Sequence, residues 1–352
     1  MRVKHNLGLI FVVTLILTAL AFLVFAAPSL ETVTLSSSDG TNTTNENLTI
    51  TTDQDNNASI KLIYNWYKDE ASITALNMPF EADGASNATD YSGNNNDGTV
   101  TSAIWNATGG YDGNGAYEMN GSNYGVTVAD DQSLNITEEI TITAWIYPLS
   151  SSGNMDIVTK KNWDSVHYGY RLQQNWGNLL FVWGNGTNYF QNKTGTIEVG
   201  KWQHVAVTYD QETLVLYIDG VAVLTESRDE PIVNNDDPIL IGCYGHCNGA
   251  TYVYNGSIDD VMIFNHALSS NQIQSLYENR TNSIVSQETL LGDVWNVTVT
   301  PNDGIEDGAT MWSNALTVIT VSAAVPEFSD YAIALLLLTV VGGFMAMRKK
   351  QN

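Results

Sequence analysis

The amino-acid sequence predicts an all-β protein in which a two-sheet jelly roll is inserted into a smaller, discontinuous β-sandwich, with an apolar helix at each terminus. The composition is rich in Asn, Thr, Ser and Gly, and long helical periodicities are missing. Short strand patterns recur at even spacing between Leu76 and Arg280. The segments on either side of that block hold too few strands to form a stable sandwich alone.

The charge balance limits the partners of the chain. Acidic residues outnumber basic residues by 38 to 14, which gives the 352-residue chain a net charge of −24. A surface of this sign repels phosphate backbones, so the charge argues against nucleic acid as a partner. It suits a surface exposed to a salty medium and the binding of divalent cations.

Residues 1–27 are predicted to be a secretory signal peptide. Arg2 and Lys4 precede an apolar run from Leu7 to Ala27, and small residues at its end offer a cleavage site. The run is long for a signal peptide, so an uncleaved signal anchor is the alternative.

Sequons for N-linked glycosylation also indicate export. They are more frequent than chance gives, although any chain rich in Asn and Thr produces some. The sequon asparagines are Asn42, Asn47, Asn57, Asn87, Asn106, Asn120, Asn135, Asn185, Asn192, Asn255, Asn279 and Asn296.

Residues 30–75 form the first part of the predicted smaller sandwich. They hold three or four strand patterns: TVTLS, NLTITTD, KLIYNWYKD and SITAL. Trp66 lies in mid-strand before a polar turn, as expected inside a β-sandwich. An immunoglobulin-type sandwich needs about 100 residues and seven strands, so this segment is incomplete by itself.

Residues 76–280 form the predicted jelly roll, because more than ten short strands in about 200 residues are typical of that fold. Asp219-Gly220 separates two alternating runs, which predicts a two-residue hairpin turn. A single helix closes the block at LSSNQIQSLYENR, where Ser269 and Gln272 match a capping box. The apolar face of this helix is made of Ile273, Leu276 and Tyr277.

Several stretches of this block resemble the laminin-G-like jelly rolls of the concanavalin A-like lectin and glucanase fold. They are FEADG…DYSGNNNDGTV, GAYEMNG, ITITAWIYP, KWQHVAVTYD…LYIDG and GSIDDVMIFNHALSSNQIQSLY, in the order that the family has them. The resemblance implies a module that binds glycans or proteins, often with structural calcium. It does not by itself imply catalysis.

Catalysis is not predicted. Glycosidases need two carboxylates that flank the scissile bond, and those of this fold carry them as E-x-D-x-E on one strand. The sequence has no such spacing, and its nearest acidic cluster, ESRDEP at 226–231, lies in a turn-like stretch. The five histidines fall in no nucleophile motif. We therefore expect a binding protein rather than an enzyme.

A calcium site is expected where the two ends of the jelly roll meet. Calcium takes about six to eight oxygen ligands. DYSGNNNDG supplies Asp90, Asn96 and Asp97, and GSIDDV supplies Asp259 and Asp260. Asp90, Asn96 and Asp259 fall on matching positions of the resembling family. The alternatives are turn chemistry for the loop and an edge-facing acid pair for the strand. Adjacent strand residues face opposite ways, so only one of the pair can point at a given site.

Two tryptophans are candidates for ligand binding. Trp163 lies in KNWDS and Trp176 in QNWGN, and both stretches are polar and turn-like. A Trp in such a turn often stacks on a partner, a sugar ring among the options. The alternative is that each ring folds back onto the sheet.

The two cysteines, Cys243 and Cys247, stand in IGCYGHCNG. In an exported chain with only two cysteines, pairing them is the default. The closed loop would shape a tip that holds Tyr244 and His246, which are further candidates for ligand binding. A metal site is the alternative, but two thiols and one His leave it short of ligands.

Residues 281–321 supply about three more strands. Together with residues 30–75 they give about seven strands, enough for one immunoglobulin-like domain. Both segments resemble the halves of immunoglobulin-like repeats in archaeal surface proteins, in which a WY-containing strand is followed by SxET…GDxWxVTVTPNDG. The sequence therefore predicts that the jelly roll is inserted at a hairpin after Ile73. Two separate small modules or disordered stalks are the alternatives.

Residues 326–350 are predicted to be a sorting signal or transmembrane segment. VPEF precedes an apolar stretch at 331–347 and a basic end, which resembles the PEF-CTERM sorting signals of archaeal surface proteins. In that family a membrane transpeptidase cuts near the motif and attaches a lipid. A plain anchor helix is the alternative. The motif residues are Pro326, Glu327 and Phe328.

The expected protein is anchored on the extracellular side of a membrane. Basic residues flank both apolar ends on their outer sides, which places residues 28–330 outside. The expected partners are an extracellular glycan or glycoprotein and the membrane, reached through the tail or its lipid. A structural component of the cell envelope that makes protein contacts is the alternative, and a glycoside hydrolase is less favoured.

Overall fold

The computed structural model describes residues 27–54, 60–122, 125–160, 167–245 and 252–320. The all-β prediction is confirmed, because these residues form antiparallel sheets with one α-helix among them. The predicted signal, apart from Ala27, and the predicted sorting tail at Pro326, Glu327 and Phe328 lie outside the described residues. In the described part of the chain, no helix is long and apolar enough to span a bilayer.

The strands follow one another in short runs. In chain order the elements are β1 (Leu30–Ser37), β2 (Leu48–Gln54), β3 (Lys61–Lys68), β4 (Ala71–Ser72), β5 (Thr74–Met78), β6 (Asn87–Ala88), β7 (Gly98–Thr101), β8 (Ile104–Asn106), β9 (Ala116–Asn120), β10 (Gly125–Val128), β11 (Ile140–Pro148), β12 (Asn154–Lys160), β13 (Tyr170–Asn175), β14 (Asn178–Gly184), β15 (Tyr189–Thr194), β16 (Gln203–Tyr209), β17 (Thr213–Ile218), β18 (Val221–Ser227), β19 (Ile239–Ile241), β20 (Asn255–Phe264), α1 (Ser270–Tyr277), β21 (Ser283–Ile284), β22 (Val294–Asn302), β23 (Met311–Trp312) and β24 (Leu316–Thr317). Short 3-10 turns lie at Gln132–Leu134 and Ser286–Glu288.

A larger unit is built from two eight-stranded sheets that pack face to face. The first has the order β15-β14-β13-β12-β19-β10-β7-β6, and the second has β18-β17-β16-β11-β20-β9-β8 with β5 also paired to β20. Buried side chains of both sheets, such as Phe181 and Val207, form one core. The turn at Asp219-Gly220 joins β17 to β18 with positive φ at both residues, as the sequence predicts.

A smaller unit is built from both ends of the described chain. One sheet has the order β1-β2-β21, and the other has β23-β22-β3-β4 with β24 on β22. Strand β22 pairs with β3 from Trp295 opposite Lys68 to Asn302 opposite Lys61. Trp66 and Trp295 share one core, with ring centroids 6.3 Å apart. The two distant segments therefore pair with each other, while the immunoglobulin type of this unit stays a prediction.

The two units share this second core. It contains Trp66 and Trp295 of the smaller unit together with Phe264, Ile273 and Leu276, which belong to β20 and α1. The apolar face predicted for the helix thus packs into the seam between the units, so the helix joins them.

Only half of the predicted capping box forms. The Ser269 hydroxyl accepts a hydrogen bond from the Gln272 backbone N–H at 3.2 Å. The Gln272 side chain does not reach back, because it donates to the Ser283 carbonyl at 3.1 Å and accepts from the Val285 N–H at 2.9 Å. The glutamine therefore fastens the helix to the β21 segment.

Candidate functional site

Trp176 lies at the tip of the hairpin that joins β13 to β14. Asn175 pairs with Asn178, and the two residues between them have positive φ values of 49° and 77°. This is the geometry of a two-residue type I′ turn, and Gly177 suits its second position because glycine adopts positive φ without strain. The Trp176 side chain is 67% exposed. This exposure excludes the alternative that the Trp176 ring folds back onto the sheet, while its role in ligand binding stays a prediction.

Polar groups with fixed orientation surround the base of Trp176. The Asn175 amide donates to Asn154 Oδ1 at 2.6 Å and accepts from Lys193 Nζ at 3.1 Å. The Asn178 amide donates to the Trp176 carbonyl at 3.1 Å. An aromatic face beside amide and ammonium groups can hold the apolar face and the hydroxyls of a sugar at the same time.

Apolar side chains continue the exposed surface at this end of the larger unit. Leu149 and Val199 are both exposed. The Gly177 carbonyl accepts a hydrogen bond from the Ile197 N–H at 2.8 Å, which ties the hairpin tip to the segment that carries Val199. The tryptophan therefore stands on a surface held by backbone bonds rather than on a free loop.

A row of polar side chains, here called the polar ladder, extends from the Trp176 hairpin along β12 and β13, on the face of the sheet that points away from the core. Leu172 points into the core, so its neighbours Arg171 and Gln173 point outward. Gln173 donates to Asp156 Oδ1, and Arg171 Nε lies 3.8 Å from the same oxygen. The outward-facing cross-strand pairs are Asn154 with Asn175, Asp156 with Gln173, and Thr159 with Arg171.

Two tyrosine rings cover part of this ladder. The Arg171 guanidinium lies 5.0 Å from the centroid of the Tyr244 ring and 6.0 Å from that of Tyr252. Tyr244 is only 2% exposed, and burial raises the pKa of its hydroxyl to about 12. The Tyr244 ring packs onto the sheet, and its role in ligand binding stays a prediction. The open part of the site is the hairpin that carries Trp176.

Unpaired polar atoms lie beneath this cover. Gln173 and Thr159 are fully buried, and in the described residues Gln173 Oε1 and Thr159 Oγ1 have no hydrogen-bond partner. Buried polar atoms without partners cost free energy unless a ligand or water satisfies them. The sequence analysis does not predict this ladder, although the polar residues at every second position, Arg171, Gln173 and Asn175, indicate a polar face of the strand.

The remaining aromatic and cysteine candidates are only partly described. Cys243 is buried and disulfide-bonded. Its predicted partner Cys247, together with His246 and Trp163, lies outside the described residues.

The acidic loop expected to bind calcium uses its own polar groups. Asp90 Oδ1 accepts from the N–H groups of Asn77 and Ser92, and its Oδ2 accepts from the Ser92 hydroxyl and the Asn96 N–H, at 2.6–2.9 Å. Asp97 Oδ1 accepts from the Asp90 N–H at 2.9 Å. These hydrogen bonds hold the loop in its turn, and calcium binding by the loop stays a prediction. The bonds match the alternative of turn chemistry.

The Asp259 and Asp260 end of the expected calcium site holds an ammonium group. Lys61 of β3 reaches from the smaller unit to Glu81 Oε1 at 2.7 Å, contacts Asp112, and lies 3.9 Å from Asp260 Oδ2. Burial lowers the pKa of Lys61, but attraction to Asp260, Glu81 and Asp112 outweighs burial, so the net pKa lies above its usual range.

The carboxylates around Lys61 outnumber its single charge. Burial raises the pKa of Glu81 to about 7 and that of Asp260 to about 6. Burial also raises the pKa of Asp259, whose Oδ2 accepts from the Tyr111 N–H at 3.1 Å. Across the described ranges, no group of three or more His, Cys, Asp or Glu side chains has the placement to hold a metal ion. Calcium binding stays a prediction.

Comparison with known proteins adds a family match over part of the chain. Residues 120–274 match a family model, Laminin_G_3, described as the concanavalin A-like lectin/glucanases superfamily. The laminin-G-like part of the sequence-based resemblance is therefore supported, whereas the archaeal repeats and the sorting tail stay predictions.

Solved structures with a similar chain path include bacterial toxin binding domains. The binding domain of botulinum neurotoxin serotype G is 18% identical with a TM-score of 0.48, covering 59% of this chain and 51% of that one. The binding domain of Paraclostridial Mosquitocidal Protein 1 is 20% identical with a TM-score of 0.49, and the match covers 59% of this chain and 52% of that one. The botulinum neurotoxin serotype D ligand binding domain in complex with N-acetylneuraminic acid is 18% identical with a TM-score of 0.47, and the match covers 59% of this chain and 51% of that one. The match spans about half the length of these chains, and likeness at this level says nothing about the ligand of this chain.

Proposed function

We propose that the chain, which carries a laminin-G-like domain of the concanavalin A-like lectin/glucanase type, is an exported cell-surface protein that binds glycans or glycoproteins. The observation that carries this proposal is the exposed Trp176 ring on a backbone-fixed hairpin. A pyranose ring presents an apolar face of C–H groups and a rim of hydroxyls. The Trp176 ring stacks on the apolar face of the sugar, while Asn154, Asn175 and Lys193 form hydrogen bonds with its hydroxyls.

The test is glycan binding by the full chain. A glycan array identifies the ligand, and calorimetric titration then compares the wild type with Trp176→Ala. Loss of a stacking face costs about 1.4 kcal/mol, so we expect roughly tenfold weaker binding. Tyr189→Ala is the matched control, because Tyr189 is an exposed aromatic residue of the larger unit that lies opposite Gly184, at the other end of β14 from the Trp176 hairpin. Equal affinity of Trp176→Ala and the wild type would reject the site.

We propose binding without catalysis. Among the outward-facing residues of β12 and β13 that the structure describes, Asp156 is the one carboxylate. A glycosidase needs a second carboxylate about 5–10 Å away to act as acid, base or nucleophile. Release of reducing sugar from a bound glycan would contradict this reading.

Attachment to the extracellular side of a membrane, through residues 326–350 or a lipid that replaces them, is proposed from the sequence pattern alone. Mass spectrometry of the native protein should show loss of the peptide after about residue 326, following the predicted motif. An intact C-terminal Asn352 on surface-exposed protein would contradict cleavage.

Structural calcium is a separate proposal, for the residues Asp90, Asn96, Asp97, Asp259 and Asp260. Its support is the sequence pattern alone, which supplies carboxylate and amide oxygens in two stretches. A cation bound only by the folded state would raise the melting temperature, with a stabilisation that grows with the logarithm of the free cation concentration once that concentration exceeds Kd. The same melting temperature with chelator and with added calcium would remove this proposal.

A structural role in the cell envelope is the second candidate. It is favoured by exposed apolar side chains on the smaller unit, at Leu290, Leu291 and Ile305. Sedimentation of the wild type against Leu291→Ser should then show loss of self-association. A monomeric wild type at all accessible concentrations would count against this role.

A further inference from the structure

An aromatic cleft of about 240 Å³ lies on the smaller unit, away from the Trp176 hairpin. It is lined by Tyr67, Glu70, Asn296 and Trp312. The Tyr67 and Trp312 ring centroids are 4.7 Å apart and the rings are tilted by 45°. Trp312 is 54% exposed, so the pair offers a broad apolar surface to solvent.

The sheet register places an asparagine beside this aromatic pair. Tyr67 of β3 lies opposite Asn296 of β22, and Trp312 of β23 lies opposite Thr298 of the same strand. Directly opposed residues of antiparallel strands project on the same face, and residues two apart on one strand do so as well. All four side chains therefore share the solvent face, while Trp295 faces the core.

Asn296-Val297-Thr298 is one of the sequons of the chain. The Asn296 amide is half-exposed and makes no hydrogen bond to the described residues. Two other sequon amides are engaged: Asn106 donates to Glu118 at 2.6 Å, and Asn192 accepts from Arg228 at 3.0 Å. Asn296 thus combines an unengaged amide with an adjacent aromatic surface.

We propose that Asn296 carries an N-linked glycan whose first sugar lies on the Trp312–Tyr67 ring pair. The sugar's C–H face would cover the rings, and Glu70 stands at the edge of the cleft to accept a hydroxyl. This inference goes beyond ligand binding by the larger unit, but it rests on the proposed export of the chain.

The modification is a glycosyl transfer to an amide. The Asn296 Nδ2–C1 bond forms, the C1–O bond to a lipid-linked phosphate carrier breaks, and the amide proton leaves to solvent. Because Asn296 and Thr298 lie in the middle of a paired strand, the sugar must be added before β22 pairs with β3 and β23. The glycan then becomes trapped against the aromatic pair as the sheet closes.

The test uses the full chain, expressed in a host whose export pathway adds glycans that begin with N-acetylglucosamine. Glycopeptide mass spectrometry should find Asn296 occupied. Enzymatic deglycosylation of the folded protein should lower its Tm by about 2–4 °C if the sugar makes a weak stabilising contact. In Trp312→Ala that Tm difference should disappear. Comparison within each variant removes any effect of the substitution itself.

Asn87→Gln is the matched control, because Asn87 is an exposed sequon asparagine on the short edge strand β6. Removing its glycan should leave the Tm difference on deglycosylation unchanged, whereas Asn296→Gln should abolish it. Occupancy elsewhere with a bare Asn296, or an equal Tm difference in Trp312→Ala and the wild type, would overturn this inference alone. Absence of glycan at every sequon would overturn the proposed export along with it.

Discussion

At the scale of single residues, Lys61 is the cation of a charge cluster that bridges the seam. Its ammonium comes from the smaller unit, and the groups that it touches, Glu81, Asp112 and Asp260, belong to the larger unit. Removing one partner of a buried ion cluster leaves uncompensated charge, which costs far more than an exposed pair contributes.

We therefore expect Lys61→Met to lower the free energy of unfolding by about 3–5 kcal/mol, measured by urea denaturation at pH 7.5. Lys201→Met is the matched control. Lys201 makes an exposed pair with Glu198 and Asp219 at 3.4 Å each, so its loss should leave the free energy of unfolding close to that of the wild type. A similar effect of both substitutions would contradict the assigned role of Lys61.

The cluster also fixes a pH dependence. Burial raises the pKa of Glu81 from 4.5 to about 7, so the folded state holds the Glu81 proton more tightly than the unfolded state does. The contribution of protonated Glu81 to the free energy of unfolding is fully present below about pH 4.5. It is lost as the pH rises to about 7 and beyond, which lowers the free energy of unfolding by roughly 3 kcal/mol. The deficit of Lys61→Met should accordingly shrink at pH 5, where Glu81 is protonated.

Residue-level prediction from sequence succeeded where the signal was local. The exposure of Trp176 follows from Asn-Trp-Gly in a tight turn, because turn type depends on a few adjacent residues. The partners of Lys61 lie 20 or more residues away, as Asp112 and Asp260 do, and no local pattern joins them. The saturation of Asp90 was equally hidden, since a loop that binds a cation and a loop that bonds its own backbone use the same residue types.

At the level of elements, one glutamine adds hydrogen bonds to the apolar packing of helix α1 in the seam. Gln272 is buried and bonds both the Ser283 carbonyl and the Val285 N–H, so its side chain links the helix to β21. The Ser269 cap, in contrast, satisfies one N–H at the partly exposed end of the helix.

We expect Gln272→Ala to cost about 2–3 kcal/mol, because it leaves two backbone groups unpaired, and Ser269→Ala to cost about 1 kcal/mol. Gln274→Ala is the control on the same helix, since its amide donates to the exposed Glu278 and bonds no backbone group of β21. Thermal unfolding of the three variants ranks their losses of stability. A larger loss for Ser269→Ala than for Gln272→Ala would reject the fastening role.

Sequence pattern located this helix but assigned it only to the jelly roll. The 3.6-residue periodicity of Ile273, Leu276 and Tyr277 reports which face is buried and does not report what buries it. Strand β11 shows the same limit. It is buried on both faces, so its residues give no alternation from which its outer neighbours could be inferred.

For the whole molecule, the shared core predicts cooperative unfolding. Trp66, Phe264 and Ile273 belong to one cluster although they come from different units. We expect one calorimetric transition with matching van't Hoff and calorimetric enthalpies, despite a length at which two transitions are common. A smaller unit freed of residues 78–280 would expose its side of this cluster and should not fold. Two separated transitions would contradict the shared core.

The route of the chain between the units has a mechanical consequence. The backbone crosses the seam twice, once at Ile73 between β4 and β5 and once between the end of α1 and β21. A module on one tether swivels freely about it, whereas two tethers oppose torque. Tension applied at Trp176 would be divided between these two covalent routes acting in parallel. A force applied to the larger unit is therefore transmitted to the smaller unit through two fixed connections rather than through one flexible linker.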